Sequence, residues 1–149
     1  MYRGGFRLSD NWLNMRGEMS LFRKAIREDF IIVAISTGLT MNEHNNPIMV
    51  TLIDSCSPSC WEMLNPDGYV AYFRSKHSDS RQRADKLLSS VQRLIATDTG
   101  LPDFKVGINE GTVVSEINWR GKVTFPPVGD AVNTAYRNQK GRQDFNQSR

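Results

Sequence analysis

Apolar and polar positions along this 149-residue chain fall into runs with distinct periods. From Glu18 to Arg27, Leu21, Phe22, Ala25 and Ile26 lie on one side of a helical wheel. Arg23, Lys24 and Arg27 lie on the other, which predicts a short amphipathic helix. Phe30 to Ile35 is a continuous apolar run, FIIVAI, as expected of a buried central strand, and Ser36 to Thr40 follow as a loop. Pro47 to Asp54 predicts a further strand. Trp61–Leu64 and Tyr69–Phe73 flank Asn65-Pro66-Asp67-Gly68, a strong turn signal between two strands.

The strongest helical period begins after Ser78-Asp79-Ser80, an N-cap candidate. Ala84, Leu87, Leu88, Val91, Leu94 and Ile95 recur on one face, Arg81, Arg83, Lys86 and Arg93 face out, and Gly100-Leu101-Pro102 ends the helix. Val106 to Ile117 reads as two strands reversed at Asn109-Glu110-Gly111, with Gly111 free to take positive φ. Pro126-Pro127 disfavours helix. Gly129-Asp130 then opens a last helix with Asp130 as N-cap, on which Asn133 and Arg137 are four apart and share a face. Ala131, Val132 and Ala135 are small enough to admit another backbone or a ligand. An amide beside a guanidinium suits hydroxyl and phosphate oxygens.

Composition narrows the class. The hydrophobic fraction of 39% and charged fraction of 23% fit one globular domain large enough to fold without disulfides or metal. A net charge of +3 tolerates polyphosphate, and no basic run interleaved with aromatics calls for nucleic acid. No apolar run approaches the ~20 residues of a membrane helix, so a cytoplasmic location without membrane contact is expected. Cys56 and Cys60, with only His44 and His77 for company, lack the paired ligands of a structural zinc site and read as ordinary thiols. Residues 1–17 are expected to be a flexible lead-in, 18–141 a single domain and 142–149 a polar tail.

Two blocks carry a family signal. Val106-Gly107-Ile108-Asn109-x-Gly111-x-Val113-Val114, followed by Val128-Gly129-Asp130-Ala131-Val132-Asn133-x-Ala135-x-Arg137, resembles the class III nucleotidyl cyclase catalytic domain. Its members carry a similar strand pair and a similar Asn/Arg helix in the same order. The resemblance implies an α+β, ferredoxin-like palm of βαββαβ type, here incomplete at the ends. The implied reaction converts a nucleoside triphosphate to a 3′,5′-cyclic nucleotide and pyrophosphate, with Mg²⁺ or Mn²⁺. Asn133 would orient the ribose and Arg137 would stabilise the transferring phosphate. Asp67, at the position of the family's Asp hairpin, would be a metal ligand, although Asp67-Gly68 also serves simply as a good hairpin turn.

The amino-terminal half departs from the pattern. The family's other metal Asp ends the first strand, and the matching position before Gly38-Leu39-Thr40 is Ile35. Asp29 and Asp54 are the nearest carboxylates by number, and neither has the right context. Near the base-selecting position stands Pro126, which has no side-chain donor or acceptor, so the choice between purine and pyrimidine stays open. The family builds its site at a dimer interface, metals from one subunit and the Asn/Arg pair from the other. The expected partners are therefore a nucleoside triphosphate and a second copy or a cyclase-type subunit. The alternative is an impaired homologue that binds nucleotide or complements a partner.

Overall fold

The computed structural model describes residues 23–36, 45–64, 68–97 and 104–141. Within them, β1 (Lys24–Ser36), α1 (Asn45–Ser55), β2 (Cys60–Leu64), β3 (Gly68–Arg74), α2 (Ser80–Thr97) and β4 (Lys105–Ile117) follow in order. They are completed by β5 (Val123–Val128), α3 (Asp130–Arg137) and β6 (Lys140–Gly141). The sheet runs β2-β3-β1-β4-β5, with β6 also on β4, and its pairs are antiparallel. Its first four strands have the order of a ferredoxin-like βαββαβ unit, as expected. The predicted lead-in (1–17) and tail (142–149) lie outside the described residues.

FIIVAI is the centre of the molecule. Each residue from Phe30 to Ile35 is at most 2% exposed because β1 has a strand on either side and a packed layer on each face. Ile31, Val33 and Ile35 point to one face, where Met49 and Ile53 of α1 and Ala84, Leu87, Val91 and Ile95 of α2 cover them. Phe30, Ile32 and Ala34 point to the other and meet Val70, Tyr72, Val113 and Ala135 of α3. The period of α2 is thus realised as read from the sequence.

Three local expectations are overturned. The helix expected over Glu18–Arg27 is, for its described part, strand. Lys24 to Asp29 extend β1 and pair with Thr112 to Ile117, so both β1 and β4 are 13 residues long. Cross-strand partners decide the matter: Arg23 binds Glu116 at 3.1 Å, and the Thr112 hydroxyl donates to the Asp29 carboxylate. Such pairing outweighs a weak local helix preference.

The strand expected over Pro47–Asp54 is α1. Its apolar run fits either period, but Met49, Ile53 and Cys56 recur at helical spacing and are the buried ones. Pro47 falls in the first turn, where a missing N–H costs no helical bond. Finally, Asn109-Glu110-Gly111 is no reversal, since β4 passes straight through it.

Candidate functional site

α3 is held onto the sheet by what β4 lacks. Gly107 and Gly111 lie on the face of β4 beneath the helix, and neither has positive φ. A Cβ on Gly107 would overlap the Ala135 carbonyl oxygen and come within 2.7 Å of the Gln139 nitrogen. One on Gly111 would come within 2.8 Å of the Ala131 methyl. The glycines therefore serve close approach, not a turn. The small residues of α3 have the same purpose: the backbone they admit is β4.

Polar links fix the register of this contact. The Asn109 side chain donates to the Ala131 carbonyl at 3.0 Å, and Asn138 donates to the Ile108 carbonyl at 3.0 Å. At the entry to the helix, Gly129 has φ 155° and is itself the N-cap, without a side-chain cap bond. Asp130 is the first helical residue and not the expected N-cap. It still places an acid at the positive end of the helix, as Arg137 places a cation at the negative end.

With its inner face so clamped, α3 presents Asn133 and Arg137 outward, both exposed, one turn apart on the same side. One Arg137 Nη donates to the Thr134 hydroxyl at 2.9 Å, and Asp130 lies at 4.0 Å. Thr134 in turn donates to the Asp130 carbonyl at 3.2 Å. The guanidinium is thus oriented by its own helix and still 63% exposed, with donors left for a ligand.

The end of β1 is tied to the end of α3. Gln139 donates to the Ala34 carbonyl at 3.1 Å, and its amide exchanges hydrogen bonds with the Ser36 hydroxyl. Gly68, the first residue of β3, is close to the Ile35 carbonyl and the Tyr136 hydroxyl. The C-terminal end of β1, the start of β3 and the C-terminal end of α3 therefore meet at one end of the sheet. Gln139 gives no sequence signal; an amide in a polar stretch predicts nothing by itself.

Asp67 lies outside the described residues. Ile35, which the sequence resemblance sets against the family's first metal carboxylate, is fully buried in the core beneath α1 and α2. Asp29 is no substitute. It is seven residues from Ser36, roughly 23 Å along the strand. Asp54 accepts a hydrogen bond from the Trp61 indole at 2.9 Å and belongs to the α1–β2 corner. Among the described residues no group of three or more His, Cys, Asp or Glu converges on a metal position. Pro126 is buried within β5.

Other reactive side chains are quiet. Cys56 and Cys60 are free thiols in the two different cores, one on either face of the sheet. Burial, reinforced by Glu62, pushes the Cys60 thiol far above its usual range. Burial likewise pushes the Tyr69 phenol up to about 12. Tyr72 is raised by burial and by Glu62, to which it donates a hydrogen bond of 2.9 Å. None is poised as a nucleophile.

Beside the end of α3 lies a groove of about 620 Å³. Leu88 and Gln92 of α2, Val106 to Ile108 of β4, and Arg137 to Lys140 form its walls. Arg137 borders both this groove and the exposed face that carries Asn133.

No protein-family model matches this chain, and no curated protein matches it. Solved structures do. The catalytic core of a rhodopsin-guanylyl cyclase with converted specificity, in complex with ATPαS, superposes with a TM-score of 0.55. It is 17% identical, with 79% of this chain and 77% of that one covered. The guanylyl cyclase domain of the RhoGC fusion protein from the aquatic fungus Blastocladiella emersonii matches in two crystal structures. The non-canonical dimer gives a TM-score of 0.53 at 17% identity, covering 80% of this chain and 79% of that. The monomer gives 0.54 at 16%, covering 79% and 80%. The chain has the fold of a class III nucleotidyl cyclase catalytic domain. Among the described residues no helix is long and apolar enough to cross a membrane.

Proposed function

We propose that this chain is a nucleotidyl cyclase domain that turns a nucleoside triphosphate into a 3′,5′-cyclic nucleotide and pyrophosphate. One observation carries the reading. In a cyclase fold, Asn133 and Arg137 are the exposed pair on a helix whose other side is locked to the sheet by Gly107 and Gly111. A clamped helix with an amide and a guanidinium one turn apart is preorganised to hold a sugar hydroxyl beside a phosphate. Asn133 would orient the ribose. Arg137 would meet the charge that grows on the phosphate oxygens as the 3′-oxygen bonds to phosphorus and pyrophosphate departs. Removing one such donor typically costs about 10²–10³ in rate.

The described residues do not supply a Mg²⁺ or Mn²⁺ site. Hard cations need several oxygen ligands, and Ile35 offers hydrocarbon at the first carboxylate position. The hydrocarbon of Ile35 favours a second reading, in which the chain contributes its Asn133/Arg137 half to a site completed by a second copy or a cyclase-type subunit.

A turnover assay separates the two. The purified chain is given ATP, GTP, CTP and UTP in turn with Mn²⁺, and cyclic product and pyrophosphate are followed. Product from one of them establishes the activity and names the base. No product from any of them rules out activity of the chain alone and leaves the second reading.

A further inference from the structure

One exposed surface is made of residues far apart in sequence that strand pairing gathers. Lys24 opens β1 opposite Ile117, the last residue of β4. Trp119, Arg120 and Lys122 belong to the turn between β4 and β5. All four are exposed, and the three cations form no ion pair among the described residues. The acids on the neighbouring strand positions are occupied: Glu116 by Arg23 and the Thr124 hydroxyl, Glu28 by Arg74 and Lys76. Lys24, Arg120 and Lys122 alone match the net charge of +3 carried by the whole chain, so the field is concentrated at this end.

The turn is built to hold these side chains out. Asn118, 4% exposed, anchors it. Its side-chain oxygen accepts the backbone N–H groups of Arg120 at 2.8 Å and Lys122 at 3.1 Å. Its own N–H donates to the Lys122 carbonyl, and its carbonyl accepts from Gly121, both at 2.9 Å. Gly121 supplies the φ of 77° that other residues resist. A Cβ there would meet nothing within 4 Å, so the outer side of the turn is bare. Trp119 is 46% exposed at the tip, with the Arg120 guanidinium 4.6 Å from its ring centre. Phe125, 49% exposed, stands behind it on β5, opposite Glu116.

That combination selects a partner. A stable contact with a globular protein takes about 20–30 residues a side, and a hairpin tip has too few. Single-stranded nucleic acid calls for a basic groove with open aromatic faces, whereas this tip is convex and a guanidinium covers one face of its indole. A fluid bilayer takes up side chains one at a time. Indoles settle at its headgroup level, and anionic headgroups attract Lys and Arg near the surface.

We infer that the β4–β5 turn is a peripheral docking surface for an anionic lipid bilayer. Trp119 enters the headgroup layer with Phe125 at its margin, and Lys24, Arg120 and Lys122 pair with headgroup anions. Because the turn is already fixed by Asn118, docking orders little of the chain. Such contact needs no membrane-spanning helix, and none is found among the described residues. The inference is independent of the cyclase reading.

The test is co-sedimentation of the full chain with phosphatidylcholine vesicles, with and without phosphatidylserine, at low salt. Binding is expected only with phosphatidylserine and should fall as salt rises. Lys24→Ala and Lys122→Ala should each weaken it about fivefold, the scale of one basic residue at such a surface. Trp119→Ala should weaken it at least as much and leave the melting temperature unchanged, since the side chain lies outside both cores. Lys86→Ala, on the exposed side of α2, should change nothing.

Absence of binding to phosphatidylserine vesicles overturns the inference, as does equal weakening by Lys86→Ala, which would signal diffuse charge. Two further results overturn it by giving the tip another partner. A dimer that Trp119→Ala dissociates, followed by light scattering, would make the turn a contact between copies. Lys122-dependent retention of a single-stranded oligonucleotide, without retention of vesicles, would make it a nucleic-acid surface.

Discussion

The two ends of the candidate site have been treated in opposite ways. On α3, polar side chains are exposed because helix and strand meet through small residues. Gly107, Gly111, Ala131 and Ala135 bring helix and strand so close that only the outer face is left to carry Asn133 and Arg137. At the end of β1, the side chain is large and buried. Ile35 gives the end of that strand over to packing. Close packing can therefore expose polar side chains or seal an apolar one, depending on which partner gives up its side chain.

The sharpest way to break this contrast is to attempt a repair. Ile35→Asp puts a carboxylate into a sealed hydrocarbon core without a partner. It should cost about 4 kcal/mol or more, a large part of a domain's typical ~5–15 kcal/mol. Urea unfolding would show a strongly lowered midpoint, and a near-native midpoint would mean that the end of β1 is open enough to hold a cation.

Gly107→Ala tests the clamp from the other side. Its Cβ meets backbone on both sides, which has little room to yield, and overpacking of this kind costs about 1–3 kcal/mol. The melting temperature should drop, and α3 amides should exchange faster than those of α2. Uniform exchange would show that the clamp does not hold the helix.

Arg137→Ala should leave the melting temperature nearly unchanged, since the side chain is mostly exposed, while any cyclase turnover falls by about 10²–10³. Unaltered turnover would remove Arg137 from the site.

The smallest effect is expected at high pH. The Tyr69 phenol is raised to about 12 from an ordinary value of 10. A raised value in the folded state means that its contribution is intact below pH 10 and is lost as the pH rises toward 12. An alkaline melt should therefore steepen between pH 10 and 12. Tyr69→Phe should flatten that decline slightly, and a variant with the wild-type slope would assign it to Tyr72 or another group.

Much of the fold was legible, for reasons that differ by element. FIIVAI has no polar residue to place on a solvent face, so it had to be central. α2 repeats its apolar residues from Ala84 to Ile95, about three turns, too long for accident. Asn133 and Arg137 were placed on one face by their spacing alone, and the structure keeps them there.

The misreadings share a cause: each concerned a segment whose period is short or mixed, where tertiary partners decide. Lys24 to Arg27 look helical until Val114 to Ile117 arrive beside them. IMVTLI fits both periods until α2 is there to bury Met49 and Ile53. By sequence Gly111 reads as a source of backbone freedom, whereas the structure uses only its missing side chain. Nothing local distinguishes those two uses of glycine.

The place of β1 has a consequence for how the chain is made. Its neighbour β4 is synthesised only after α1, β2, β3 and α2, and the contact of Arg23 with Glu116 spans 93 residues of sequence. Until β4 emerges, FIIVAI has a bare edge, and it is uncharged, rich in β-branched residues and free of proline, the profile of a segment prone to self-association. Closing so long a loop is slow relative to forming a helix. During that interval the chain depends on dilution, or on a chaperone that covers the strand, to reach its native state in place of an aggregate.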